Sequence, residues 1–167
     1  MQRFFAPLKM TKIGTIMKTS ARGIDLIKQL EGFSAKAYRC PAGKLTIGYG
    51  HVLTPSPLEG EGWGEGYTMS GSQAEALLSL DIERVESAIA RLVRVPLSQN
   101  KFDALISLIY NIGIGAFSRS ILLKKLNKGN FSAAADEFDR WIYVNKAISA
   151  GLQSRRKFEK TLFISTL

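Results

Sequence analysis

Glu31-Gly-Phe-Ser-Ala-Lys-Ala-Tyr-Arg-Cys40-Pro-Ala-Gly-Lys-Leu-Thr46-Ile-Gly-Tyr-Gly-His51 is where the chain switches from a helical to a strand period, and that switch decides the fold. Ahead of it, Ile24, Ile27 and Leu30 recur at three-residue steps with Lys28 and Gln29 outward, so a helix is expected from Ser20. Glu31-Gly32 ends that helix, glycine being the common C-terminal stop. Inside the stretch, residues 36–40 and 44–49 are short β-like runs on either side of Pro41-Ala-Gly43, which reads as a hairpin turn.

Beyond His51 lies Pro55-Ser-Pro-Leu-Glu-Gly-Glu-Gly-Trp-Gly-Glu-Gly66, an aperiodic Glu/Gly-rich segment expected as a loop insertion. Helical patterning then takes over. Ser70 and Gln73 form a capping box ahead of an amphipathic helix carrying Leu78, Ile82, Val85, Ile89 and Leu92 on one face. Pro96 breaks it, and Ser98 can cap a second helix from Gln99 to about Ile112. That helix is apolar nearly all round, which places it at the centre of a domain. Shorter helices are expected near 120–128 and 131–143, and a last one at 152–163 carrying Arg155, Arg156 and Lys157. The expected fold is α+β and mostly helical. It has two lobes, a small β-hairpin lobe and a helical lobe around a buried central helix, with the site in the cleft between them.

The composition agrees with one domain. The chain has 167 residues, 46% apolar and 22% charged, at mean hydropathy +0.01, which excludes a disordered tail or a disulfide-stapled miniprotein. One cysteine, Cys40, allows no internal disulfide. Lys+Arg 23 against Asp+Glu 14 gives +9 and favours an anionic partner, whether nucleic acid, acidic lipid or cell envelope. Residues 1–22 hold five cations and no acid, but Pro7, Lys9 and Lys12 interrupt any signal-peptide core. Residues 1–19 therefore read as a loosely ordered extension, ahead of a single domain over 20–167 with no signal peptide and no membrane span.

Chemistry concentrates between Glu31 and His51. Glu31 falls on the last helical turn, where the negative end of the macrodipole disfavours a second negative charge and so favours the protonated form a general acid needs. It could equally be an exposed helix-end carboxylate. Cys40 admits three readings: a thiol nucleophile with His51 as base, an inert buried cysteine, or a polar side chain that positions water. Thr46 shares a hairpin face with Cys40 only if the turn preserves register, and is otherwise a β-branched strand former.

Glu31-x8-Cys40-x5-Thr46, followed by Ile47-Gly-Tyr-Gly-His51, resembles the catalytic signature of phage-type lysozymes. Further segments resemble that family in the same order: Gln73-Ala-Glu-Ala-Leu-Leu, Phe102-Asp-Ala-Leu, Asn111-Ile-Gly-Ile-Gly-Ala-Phe117, Leu122 to Gly129, Arg140-Trp141 and Gly151-Leu-Gln-Ser-Arg-Arg156. The resemblance implies a muramidase that cleaves the β-1,4 bond between N-acetylmuramic acid and N-acetylglucosamine in peptidoglycan. It casts Glu31 as the acid, Cys40 at the family's second, aspartate-or-cysteine position, and Thr46 as the residue that holds water, with inversion at the sugar. It also places Val52, Tyr110 and Ser120 along the saccharide cleft, and pairs His51 with Asp81 structurally. For Tyr110, core packing is the alternative, and for Ser120 a helix N-cap.

No metal or organic cofactor is called for. The resemblance points to glycan strands as the partner and to a monomeric phage or prophage endolysin, held in the cytoplasm until holin lesions give it access to the wall. Two departures stand out: the 55–66 segment, and Val144-Asn-Lys-Ala where relatives often have glycines. Three competing functions are a nucleic-acid binder, a Cys/His amidase or peptidase, and an inactive wall-binding relative. The first lacks zinc ligands or a recognisable reading element, and the last would have lost Glu31. Released reducing ends against released amines separates glycosidase from amidase.

Overall fold

The computed structural model describes residues 17–40, 43–53 and 66–166. The turn expected at Pro41-Ala42, nearly all of the Glu/Gly-rich insertion and the extension up to residue 16 lie outside the described residues.

Helix α1 (Ala21–Glu31) starts on Ser20, whose hydroxyl accepts from the Gly23 backbone N–H. The same serine donates twice to Asp103 of α3 (Gln99–Ile112), backbone N–H to Oδ1 at 3.1 Å and hydroxyl to Oδ2. Asp103 is buried, so these donors satisfy a carboxylate that would otherwise be costly inside the core. The approach is close enough that a Cβ on Gly23 would stand 2.8 Å from the Asp103 carboxyl carbon, which is why this helix starts with a glycine in its first turn.

Residues 17–19, expected as part of the loose extension, are docked. Thr19 donates from its backbone N–H and hydroxyl to Glu86 Oε1 at 2.7 and 2.9 Å, Lys18 Nζ stands 2.8 Å from Glu86 Oε2, and Met17 packs on the main core. Glu86 is buried on α2 (Gly71–Leu92), and a buried carboxylate needs partners. Burial pushes this carboxyl up, but the Lys18 ammonium and the Thr19 donors outweigh it and hold it below the usual range. The domain thus begins earlier than the patterned sequence does.

The capping box at Ser70 is formed on both sides, and Ser98 caps α3. Phe102, Leu105, Ile106, Leu108 and Ile109 of α3 are all buried, making it the central helix of the main core. Around it stand α4 (Ile114–Ser118), α5 (Ile121–Leu126), α6 (Phe131–Asp136) and α7 (Ala150–Ile164). A smaller core of Ala37, Ile47, Leu53, Met69 and Ala74 lies between the sheet and α2.

That sheet is antiparallel in the order β1 (Ser34–Arg39), β2 (Leu45–Gly48), β3 (His51–Val52). The third strand was not expected. Two residues carry no readable period, and it forms because Gly48 and Gly50, both at positive φ, fold Tyr49-Gly50 into a tight turn.

The helix expected over 131–143 is a second correction. It stops at Asp136, tightens into a 3-10 turn over Glu137–Arg140, and gives way to a hairpin of β4 (Tyr143–Val144) and β5 (Ala147–Ile148). Ile142, Tyr143 and Val144 are β-branched or aromatic, and Asn145-Lys146 adopts positive φ at both positions, as a two-residue hairpin turn requires.

Candidate active site

The end of α1 delivers Glu31 to the junction of the two cores, where its side chain is 17% exposed. Oε1 accepts from Arg155 Nη1 at 2.6 Å, across 124 positions of sequence. Oε2 faces the β2–β3 turn, and a Cβ built on Gly50 would lie 3.1 Å from it. Glycine at 50 therefore does two things: it takes the left-handed conformation, and it leaves room for the carboxylate.

Arg155 is held as firmly as it holds. Its Nε donates to Glu159 Oε1 at 3.0 Å and Nη2 to the Ser107 carbonyl at 3.0 Å, while Ser107 Oγ donates to the same Glu159 oxygen at 2.6 Å. A guanidinium that donates from Nε, Nη1 and Nη2 to three different residues is held in one orientation and so fixes the position of the carboxylate it grips. The sequence shows Arg155 only as one of four cations on the last helix. Nothing local signals its partner, so its part in the site is not readable from spacing.

The sheet register decides the faces. Tyr38 stands opposite Thr46, Thr46 opposite Val52, and Ile47 opposite His51. Cys40 extends the ladder, its N–H donating to Lys44 O at 2.9 Å. Residues two apart on a strand, and residues directly opposed, share a face. Cys40, Tyr38, Thr46 and Val52 thus line one face of the sheet, and His51 turns to the other. Thr46 is 3% exposed and donates its hydroxyl proton to Lys44 O at 3.1 Å, which leaves the oxygen's lone pairs as acceptors. Tyr38, which no spacing in the sequence singles out, belongs to the same group. Burial first, then the charges of Glu31 and Cys40, push its phenol up.

His51 Nδ1 lies 2.7 Å from Asp81 Oδ2 on α2, both largely covered, with Arg84 Nη1 3.3 Å from the other carboxylate oxygen. Asp81→Asn is expected to cost about 1–3 kcal/mol in urea unfolding, between the figures for exposed and buried pairs. A variant as stable as wild type would show that the pair contributes nothing.

Of the three side chains assigned to a saccharide cleft, the structure brings Val52 to the face shared with Thr46, exposed. Tyr110 is mostly buried and spends its hydroxyl on Tyr49 O at 2.7 Å, tying α3 to the turn that overhangs Glu31. Ser120 is buried as the N-cap of α5, accepting from Leu123 N–H at 3.0 Å. The Tyr110 proton and one lone pair of Ser120 Oγ are thus used within the protein.

Among the described residues, no group of three or more His, Cys, Asp or Glu side chains could hold a metal ion.

The family described as phage lysozyme matches residues 28–159. The chain is 42% identical to an endolysin of Acyrthosiphon pisum secondary endosymbiont phage 1, over 89% of this chain and 99% of that one. It is 43% identical to the endolysin of Salmonella phage P22, over 90% and 100%. Among solved structures, the muramidase domain of SpmX from Asticaccaulis excentricus superposes with a TM-score of 0.77 at 38% identity, covering 89% of this chain and 99% of that one.

Proposed function

Because the chain belongs to the phage lysozyme family, we infer that it is a glycoside hydrolase that lyses bacterial walls by cutting peptidoglycan between N-acetylmuramic acid and N-acetylglucosamine. The observation that carries the assignment of roles is the pairing of a gripped carboxylate with a polar sheet face. Arg155 fixes Oε1 of Glu31, and the turn at Gly50 leaves Oε2 unobstructed by a side chain.

In this reading Glu31 gives its proton to the leaving glycosidic oxygen as positive charge builds on the sugar ring. Thr46, whose own proton goes to Lys44 O, accepts from a water and turns that water's remaining lone pair toward the anomeric carbon. Cys40 shares that face and takes the place of the aspartate found in many relatives. Attack from the side opposite the leaving group inverts the anomeric centre, the water's surplus proton passes to solvent, and Glu31 regains its proton from solvent for the next turnover.

The face assignment also bears on the Cys/His alternative. A thiol and an imidazole on opposite faces of one sheet cannot exchange a proton directly, and His51 is engaged with Asp81. Wild-type protein on purified peptidoglycan should release reducing ends and no free amines. Cys40→Asp should stay active, because the carboxylate restores the commoner residue, while Cys40→Ala should be impaired. A folded, inactive aspartate variant together with amine release would replace the muramidase reading with a thiol hydrolase.

No helix among the described residues is long and apolar enough to cross a membrane. We take the enzyme to work as a monomer and to reach the wall through lesions opened by a separate holin.

A further inference from the structure

We propose that the corner where the ends of α2 and α5 meet the start of α3 is a docking surface for an anionic phospholipid bilayer, one that holds the enzyme at a membrane before it reaches the wall. The surface stands apart from the catalytic site and is tested without it. Residues 87–135 hold seven of the 23 lysines and arginines but a single acid, Asp103, which is buried and takes hydrogen bonds from Ser20 and Gln99. Two-thirds of the net +9 thus comes from less than a third of the chain.

Asn127, the C-cap of α5, brings these cations together. Its Oδ1 accepts from the Arg94 backbone N–H and its Nδ2 donates to the Leu92 carbonyl, both at 2.8 Å, so the two helix ends are pinned to each other. Arg91 lies one turn before Arg94, and Lys124 one turn before Lys128. All four are exposed and make no ion pair among the described residues. Lys101, in the first turn of α3, closes the corner, its ammonium 5.5 Å from the centre of the Phe131 ring just beyond α5. The acids on neighbouring elements already have cations of their own. Glu137 is held by Lys125 and Arg140, Asp136 and Asp139 by Lys160, and Glu83 lies 3.9 Å from Lys18. A cation in a last helical turn complements the macrodipole, which accounts for Arg91 and Lys124. Arg94 and Lys128 lie past the C-caps and have no such explanation.

Apolar side chains sit among the charges. Val93, Val95 and Leu97 pack on the main core yet stay partly exposed, around the exposed Pro96. A soluble polyanion asks only for cations, whereas a bilayer interface takes cations at its phosphates and apolar groups just beneath them. The position suits a membrane as well. At 22 residues α2 is about 32 Å long. Ala74 in its first turn packs with Ile47 of the sheet that bears Thr46, and the cationic corner lies at the other end. A docked molecule therefore holds its sheet lobe away from the headgroups.

The test is co-sedimentation of the full chain with vesicles of phosphatidylglycerol and phosphatidylethanolamine in equal parts, set against vesicles of phosphatidylcholine alone. Wild type should pellet with the first and not the second, and high salt should release it. Each Lys or Arg at an anionic surface is worth about five-fold in partitioning. Arg91→Gln/Arg94→Gln and Lys124→Gln/Lys128→Gln should therefore each bind about 25-fold more weakly while melting like wild type. Arg22→Gln/Lys157→Gln removes the same charge from exposed positions elsewhere and should weaken binding less than about three-fold. Equal losses in all three pairs would reduce the effect to net charge and overturn the proposal. So would wild type that shows no preference for the anionic vesicles. Polyphosphate that binds wild type as tightly as the vesicles at equal phosphate, and fails with the same two variants, would also overturn it by making the partner a soluble phosphate polymer.

Discussion

Glu31→Gln is expected to melt within a degree or two of wild type and to lose lytic activity by about a thousand-fold, in line with what a positioned general acid contributes. The amide has the shape of the carboxyl, and its oxygen still accepts from Arg155 Nη1, so the end of α1 and its grip on the helical lobe should persist. The variant lacks a proton that can be transferred. The leaving oxygen must then depart as an alkoxide or take its proton from bulk water, and neither route is aided by the protein. Turbidity clearing and reducing-end release measure the loss, and a thermal melt separates it from misfolding. Substantial wall clearing by a well-folded Glu31→Gln protein would remove the acid from this site.

Glu159→Ala is expected to produce the largest loss of stability of any single change near the site, about 3–5 kcal/mol, the usual cost of stranding a buried charge. Glu159 is fully buried between Arg155 and Arg156, themselves almost fully buried. Its Oε1 takes hydrogen bonds from Arg155 and Ser107, whereas its Oε2 meets Arg156 Nη1 at 3.2 Å by charge alone, both atoms lacking hydrogen-bond geometry. Burial already lowers the Arg156 guanidinium to about 10, against the pull of Glu159. Without that carboxylate, two guanidiniums remain inside the helical lobe with no acid between them. Since domains of this size have only about 5–15 kcal/mol in hand, urea unfolding should show a midpoint far below wild type. Activity should fall further than the unfolded fraction explains, because Arg155 loses the anchor on its Nε and with it the geometry it imposes on Glu31. Glu159→Gln, which keeps an acceptor but not the charge, should fall between the two. Near-native stability for Glu159→Ala would mean that desolvation cancels the whole attraction in this cluster.

What the sequence reveals and what it hides divide along a physical line. Caps are local chemistry, and Ser20, Ser70 and Ser98 start their helices as their patterns suggest. The burial of α3 follows from a helix with scarcely any polar face. The even spacing from Cys40 to Thr46 carries information only once register is known, and register depends on the turn between them. The β3 strand and the β4–β5 hairpin are two-residue pairings, too short for any period to emerge, so the helical pattern before the second runs on across it. The partners of Glu31 are hidden for a different reason. Arg155 lies 124 positions away, and Gly50 matters for the atom it lacks. A site assembled from α1, a strand turn and the final helix can be approached from one local motif, but its electrostatics belong to the tertiary fold.

Consecutive residues at the start of α3 hold both ends of the described chain. Gln99 Nε2 donates to the Lys18 carbonyl at 3.0 Å, and Asn100 Nδ2 donates to Ser165 Oγ at 2.8 Å. Entry and exit therefore meet on one turn of the central helix. Joining residue 166 to residue 17 through a short flexible linker keeps Met17 on the core and the docked segment in place, while it deprives the denatured chain of much of its freedom. Backbone cyclisation is thus a route to a heat-resistant form of this enzyme, with the bridge placed at the far end of α1 from Glu31.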